Sequence, residues 1–160
     1  GDAEYSIDVE GDDLVITGEC DSRWWNSCSV GFVVTVPSDF DVDVSTDNGR
    51  IEVADVAGEL RVETDNGAIE ADRLGSTIVD TETDNGRIRL TFDEAPMSVT
   101  AKSDNGAIAV RVPDLDHTYD VDADRDNGNV DVDVRTDPGA ERHVTARADN
   151  GAIDVEYRTG

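Results

Sequence analysis

The sequence has 160 residues, and its 38 acidic and 13 basic side chains give a formal net charge of −25 at pH 7. A charge of this sign and size repels nucleic acids and anionic lipid surfaces, so we expect neither as a partner. Hydrophobic residues make up 37% of the chain, which suffices for one folded domain with a core. No segment approaches the roughly 20 consecutive apolar residues that a membrane-spanning helix requires.

The N-terminal segment, residues 1–40, lies outside the repeats and is predicted to form a β cap. It begins directly in a strand-like pattern, "YSIDVEGDDLVITG", without a signal peptide, so we expect a piece of a longer protein. Two strands around a Gly-Asp turn, and a further strand within "SVGFVVTVPSDFDVDV", make up this cap. The cap would protect the end of the repeats from edge-to-edge pairing.

Two cysteines, Cys20 and Cys28, enclose the polar loop "CDSRWWNSC". A zinc site is not indicated, because the chain has no second cysteine pair and no histidine near this loop. A disulfide is favoured, with two free thiols as the alternative. Closure of so short a loop is worth about 2–3 kcal/mol, and a disulfide would place the domain outside the reducing cytoplasm.

Trp24 and Trp25 lie inside the cysteine loop. Adjacent residues of an extended segment point to opposite sides, so one ring can cover the core while the other faces solvent. We favour a role of both rings in the cap. An exposed Trp beside a disulfide is also a weak candidate for binding a glycan or a partner protein.

The motif Asp-Asn-Gly recurs six times between residues 41 and 160, at intervals of about 20 residues. Apolar residues occupy every second position before the motif, as in Val42 and Val44. After the glycine the phase slips by one residue, and the alternation continues with Ile51 and Val53. Period-two alternation rich in β-branched residues predicts short strands and excludes helices. The fold class is therefore all-β.

Two architectures satisfy this pattern: a β-solenoid, that is a single-stranded β-helix of about six coils, and an antiparallel β assembly of Asn-Gly hairpins. In the second, each Asn-Gly forms a two-residue turn of type I′. The solenoid is favoured because each coil closes its own core and stacks about 4.7–4.9 Å from the next. About twelve antiparallel strands would need a long crossover, for which the connections are too short.

In a solenoid, the three residues of the motif have separate structural tasks. Gly supplies the positive φ of a tight corner, stacked Asn side chains pass amide hydrogen bonds between coils, and Asp accepts from nearby backbone N–H groups. The inward position before the Asp is small in five copies, because a corner leaves little room. Arg125 occupies this position in the fifth copy and marks it as strained or end-like.

The motif carboxylates would form a column on the outside of the solenoid. They belong to Asp47, Asp65, Asp84, Asp104, Asp126 and Asp149. The column is a weak candidate for Ca²⁺, but the nonapeptide pattern of calcium-binding rolls is absent, so a solvated acidic face is favoured and no other cofactor is expected. Two positions after the Asn, Arg and Ala alternate in the first four copies, which indicates relief of charge repulsion.

The sequence offers no catalytic residues. His117 and His143 stand in separate connections between repeats, with no nucleophile at a recognisable spacing. β-Helices include polysaccharide-cleaving enzymes, but a fold does not establish an activity. The prediction is a protein that is not an enzyme.

The repeated pattern V-x-V-x-T-D-N-G-x-I-x-V, preceded by "VPSDFDVDVSTDNG", resembles a widespread bacterial domain-of-unknown-function family of β-strand-repeat surface proteins regarded as adhesins. Actinobacterial members are most similar, because they also carry a segment like "GECDSRWWNSCSV" before the first repeat. The resemblance covers nearly the whole chain and implies a β-helix-like domain outside the cell, often tethered to a membrane by a segment absent here. It also implies a link to cell-envelope stress, and it supplies no catalytic residues.

We therefore expect a non-catalytic extracellular module on the cell surface, an adhesin or binding domain for a protein, a glycan or a cationic peptide. One alternative is the ectodomain of an envelope-stress or antimicrobial-peptide-sensing protein, since an acidic surface attracts cationic peptides. The other alternative is a structural spacer that binds nothing.

Overall fold

The computed structural model describes residues 3–20 and 29–159, and these contain strands, turns and loops but no helix. The predicted Cys20–Cys28 disulfide and the tryptophans Trp24 and Trp25 involve residues outside the described ranges, so they stay predictions. The chain divides into two compact units, residues 1–36 and residues 37–160.

The first unit contains one antiparallel hairpin of β1 (Ala3–Glu10) and β2 (Asp13–Cys20). Gly11 has a φ of 68° in the turn between them, as a tight hairpin turn requires. The further strand predicted within residues 29–44 is present only at its end, because residues 42–44 lie in a strand whereas residues 29–41 have no β pairing among the described residues. Phe32 packs against Gly18 of β2, whereas Val33 is 99% exposed. Alternating apolar residues made no strand here, since a strand also needs a partner for its backbone groups.

The second unit is a parallel β-solenoid, which confirms the predicted fold. Each coil contributes one strand that ends in the Asn of the motif and one that begins two residues after its Gly. Coils 1 to 3 are β3 (Val42–Asn48) with β4 (Ile51–Ala54), β5 (Leu60–Asn66) with β6 (Ile69–Leu74), and β7 (Ile78–Asn85) with β8 (Ile88–Phe92). Coils 4 to 6 are β9 (Ser98–Asn105) with β10 (Ile108–Val112), β11 (Asp120–Asn127) with β12 (Val130–Asp133), and β13 (His143–Asn150) with β14 (Ile153–Tyr157).

The coils do not stack in the order of the sequence. The two six-stranded sheets run β3-β5-β7-β9-β13-β11 and β4-β6-β8-β10-β14-β12. Coil 6 therefore lies between coils 4 and 5, with β13 paired to both β9 and β11. As a consequence coil 5, although fifth in the chain, forms one end of the stack, and coil 1 forms the other.

The core consists of rows of inward side chains, one from each coil, in parallel register, with one register shift between β6 and β8 after Ala71. The isoleucines Ile69, Ile88, Ile108 and Ile153 form one such row, and each is at most 1% exposed. Burial of an Ile side chain is worth about 1.5–3 kcal/mol, so each interior coil adds stability through the side chains that it buries in these rows. The row ends at Val130 of coil 5, which is 37% exposed because no further coil of the described chain stacks on it.

Candidate binding surfaces

The Asn residues of the motif form a continuous hydrogen-bonded ladder along the solenoid, as predicted. The Asn66 side-chain amide donates to Asn48 Oδ1 at 3.2 Å, and the ladder continues through Asn85 and Asn105 at 3.0 and 3.1 Å. The last two steps follow the observed coil order, from Asn150 to Asn105 and from Asn127 to Asn150, each at 3.1 Å. These side-chain hydrogen bonds therefore connect each coil to the next along the stack.

The prediction that the motif glycines supply positive φ is correct only at the two end coils, where Gly49 and Gly128 have φ of 142° and 135°. In the interior coils glycine is needed because the backbones of neighbouring coils lie close together at the corner. A Cβ on Gly86 would lie 2.5 Å from the carbonyl carbon of Gly67, and the carbonyl oxygen would be closer still. The same obstruction recurs at Gly67, Gly106 and Gly151. Glycine is therefore required because coils touch at this corner.

The small residue before each Asp has a further role in the interior coils. Thr83 Oγ1 donates to the Gly67 carbonyl at 3.1 Å, and Ser103 Oγ donates to the Gly86 carbonyl at 2.9 Å. These hydroxyls are buried and satisfy a carbonyl of the neighbouring coil. Arg125 occupies the same position in coil 5 and is exposed, which confirms that the fifth copy is end-like.

The Asp residues of the motif are all exposed, and they lie one per coil along a common line. The line comprises Asp47, Asp65, Asp84, Asp104, Asp149 and Asp126 in spatial order. None of these carboxylates has a hydrogen bond or an ion pair among the described residues, so the predicted bonds to backbone N–H groups are wrong. The Asn ladder and the Gly corner already hold the bend, and each carboxylate faces solvent.

The described part of the chain holds no group of three or more Asp, Glu, His or Cys side chains that is suited to a metal ion. Each coil contributes only one carboxylate to the column, and successive carboxylates are separated by one strand spacing. Ca²⁺ binds 6–8 oxygen ligands that converge on one point. A line of single carboxylates provides a diffuse negative field instead.

Arginines next to the Asn-Gly corners neutralise acidic neighbours across coils, in agreement with the predicted charge relief. Glu70 accepts from Arg50 on coil 1 and, at 3.1 Å, from Arg87 on coil 3. The bond from Arg50, with the positive charges of Arg50 and Arg87, holds the pKa of Glu70 below its usual range. Arg73 binds Asp55 with two nitrogens at 2.8 and 2.7 Å and lowers the pKa of that carboxyl in the same way.

The open end of the solenoid, formed by coil 5, was not recognised from the sequence as a candidate site. Its strand β11 has exposed acidic side chains at Asp122 and Asp124, and its inward residues Val121 and Ala123 are only half-buried. The equivalent inward residues of coil 6, Val144 and Ala146, are 1% and 0% exposed. The end of the stack therefore presents a partly apolar floor, formed by Val121 and Ala123, and an acidic margin, formed by Asp122 and Asp124.

A solvent-open cavity of about 310 Å³ lies at the start of β11 and includes Tyr119, Val121 and Thr136 in its wall. Tyr119 is 1% exposed, and its hydroxyl has no hydrogen-bond partner in the parts of the chain that are described. Burial raises the pKa of this hydroxyl above its usual value. A buried hydroxyl without a partner is uncommon, because leaving it unpaired costs about 1–3 kcal/mol.

The two histidines are not brought together. His143 begins β13 and its Nδ1 lies 3.3 Å from an Asp120 carboxylate oxygen. His117 lies in the connection before β11, and no hydrogen bond or ion pair joins it to another described residue. Residues 3–20 and 29–159 contain no helical segment that could span a bilayer.

These features define a class of protein, a parallel β-solenoid in which each coil turns at an Asp-Asn-Gly corner and the Asn and Gly of these corners serve the stacking of coils. A protein-family model described as Toastrack DUF4097 matches residues 38–159. The chain belongs to this family, a domain-of-unknown-function family of β-repeat proteins. No curated protein and no solved structure matches this chain.

Proposed function

We propose that this protein is a non-catalytic extracellular module that binds another molecule at the cell surface, as an adhesin or a related binding domain. One observation carries the proposal: the Asn, Gly, Thr and Ser of the repeat are used in stacking, whereas the Asp column is exposed and has no partner among the described residues. The molecule thus maintains a rigid row of carboxylates that its own folding does not use. A tether to a membrane, by a segment outside this chain, belongs to the same proposal.

The alternative of an ectodomain that meets cationic peptides in envelope stress is favoured by the net charge of −25. Clustered carboxylates on a rigid surface attract cations over distances of about one Debye length, which is about 8–10 Å in physiological salt. A spacer that binds nothing is the third possibility, and it does not account for the partly apolar floor of coil 5.

Binding to glycan and peptide arrays, in about 0.05 M and about 0.5 M NaCl, separates these functions. An adhesive contact based on shape and apolar area is expected to persist at both salt concentrations. Capture of cationic peptides is expected to disappear at the higher concentration. A protein that retains nothing on either array at either concentration is a spacer, and the proposed binding function would then be wrong.

A further inference from the structure

The open edge of β11 has unpaired backbone groups in the described structure. The Asp120 N–H donates to the Arg142 carbonyl of the coil 6 side at 2.8 Å. Alternate residues of a strand direct their backbone groups to opposite edges of the sheet. Val121 and Ala123 therefore direct their N–H and C=O groups away from coil 6, to the side where no strand of the described residues is paired with them. Such a row of free donors and acceptors is a template for an added strand.

The chain itself already forms a parallel contact at this edge, one residue before β11. Tyr119 and Thr136 make an isolated parallel bridge. The Tyr119 N–H donates to the Arg135 carbonyl at 2.9 Å, and the Asp137 N–H donates to the Tyr119 carbonyl at 3.0 Å. Beyond Asp137 the chain turns away toward coil 6, and the pairing stops. The edge thus accepts a parallel segment at Tyr119, and from Val121 onward no described residue pairs with it.

The side chains around the vacant edge select the occupant. An added strand would place alternate residues over the half-buried Val121 and Ala123 and next to the cavity lined by Tyr119. Its other residues would face outward beside Asp122 and Asp124, both exposed. The complementary sequence therefore alternates apolar with basic residues. Arg125 at the end of the strand is itself basic, and the backbone of Tyr119 is already paired with residues 135–137, so we place the contact against residues 121–124.

A second copy of this chain is a poor occupant. Each copy carries a net charge of −25, and the end strand at the other extremity, β3, is also acidic through Asp43 and Asp47. Like charges placed on neighbouring strands are destabilising. The same acidic margin that discourages stacking of copies attracts a cationic segment, so charge complementarity decides between the two.

We propose that coil 5 binds an extended cationic peptide segment by parallel strand addition along the open edge of β11. The proposal rests on the proposed binding function and deepens it by naming the site and the chemistry of the ligand. Backbone hydrogen bonds supply affinity in this mode of recognition, and the alternating side chains supply specificity. The Lys or Arg residues of the peptide lie beside Asp122 and Asp124, and its apolar residues extend the inward rows of the solenoid.

Amide hydrogen exchange on the unaltered protein tests the site directly. The probe is a soluble peptide of about seven residues that alternates valine and lysine, with both termini blocked. We expect the amides of Val121 and Ala123 to exchange rapidly in the free protein. With saturating peptide we expect at least about tenfold slower exchange of these two amides. Unchanged exchange at both residues, with the peptide demonstrably bound, would place the peptide elsewhere and overturn the proposal.

Matched variants test the backbone and charge contributions separately. Ala123→Pro removes one outward N–H and is expected to weaken peptide binding about tenfold, whereas Ser45→Pro makes the same change on the edge strand of coil 1 and leaves binding unchanged. Asp124→Asn is expected to weaken binding about threefold, whereas Glu82→Gln, at the equivalent position of coil 3, does so by less. Equal losses in each pair of variants would show capture by the general acidic surface. The proposed binding function would then stand and the coil 5 site would fall.

Discussion

Replacement of Gly86 by alanine is the sharpest test of how the coils stack. The new Cβ would lie 2.5 Å from the Gly67 carbonyl carbon and 3.2 Å from the Ala68 nitrogen, and both atoms belong to the backbone of the adjoining coil. Backbone in the middle of a stack cannot rotate away as a flexible side chain does. The two coils must therefore separate locally at the corner.

The expected cost follows from the bonds that cross this corner. The Gly67 N–H donates to the Asn85 carbonyl at 3.0 Å, Thr83 donates to the Gly67 carbonyl at 3.1 Å, and the Asn85 amide donates to Asn66 at 3.0 Å. Loss of these three bonds costs about 3 kcal/mol at about 1 kcal/mol each. Alanine recovers about 0.4–1 kcal/mol by restricting the unfolded chain. The net expectation is a loss of about 2–3 kcal/mol in the free energy of unfolding.

Urea unfolding followed by far-ultraviolet circular dichroism measures this loss. The control is Gly75→Ala, where a Cβ would meet its nearest neighbour, Ala57 Cβ, at an ordinary 3.4 Å. We expect the control to lie within about 0.5 kcal/mol of the parent protein. A Gly86→Ala protein as stable as the control would show that the glycines are not required by contact between coils, and the reasoning would be refuted.

Three further predictions concern the ladder, an ion pair and the net charge. Asn85→Ala removes two hydrogen bonds of the Asn ladder and is expected to lower the free energy of unfolding by about 1–2 kcal/mol. Asn127→Ala removes one such bond and should lower it by about half as much. Equal losses for the two variants in urea unfolding would contradict a stabilising ladder. The pKa of Glu70 is lowered in the folded protein, so the stabilisation from this carboxylate is present above the unfolded value near 4.5 and is lost as the pH falls. Glu70→Gln should therefore reduce the difference in stability between neutral and acid pH, by under about 1 kcal/mol because its arginine partners are half exposed. An unchanged difference would exclude this linkage. Added NaCl should raise the melting temperature because it screens the repulsion within a chain of charge −25, and a fall in melting temperature would show that ion pairs dominate.

The fold was accessible from the sequence because two local signals agreed. The phase slip across each Asn-Gly placed inward residues on both strands of a coil, and the repeat length suited one small coil. The Asn ladder followed from stacking equivalent residues in register. The role of glycine did not follow in full, since the distance between corners of neighbouring coils is a property of packing and not of any single turn.

The order of the coils was not accessible, because coils 5 and 6 carry the same strand pattern and either would stack on coil 4. The useful signal was Arg125, because an interior coil cannot bury a charged side chain at this inward position. The alternation of Asp with apolar residues in "DVDADRDNGNVDVDV" was a second signal of an open edge. Most of the strand predicted within residues 29–44 did not form for the opposite reason, since its pattern was suitable but the described residues hold no partner strand for residues 29–41.

The coil order determines which edge is open, and cysteine cross-linking tests it directly. In the described structure Lys102 of coil 4 is paired with Arg147 of coil 6, whereas Asp124 of coil 5 lies on the far side of coil 6. Paired residues on adjoining strands are within the Cα separation of about 4.4–6.8 Å that a disulfide requires, and residues two coils apart, at about 9.5 Å, are not. We predict that the double variant Lys102→Cys with Arg147→Cys forms a cross-link detectable by peptide mass spectrometry and that Lys102→Cys with Asp124→Cys does not. The reverse result would place coil 5 on coil 4 and contradict the open edge on which the proposed binding site depends.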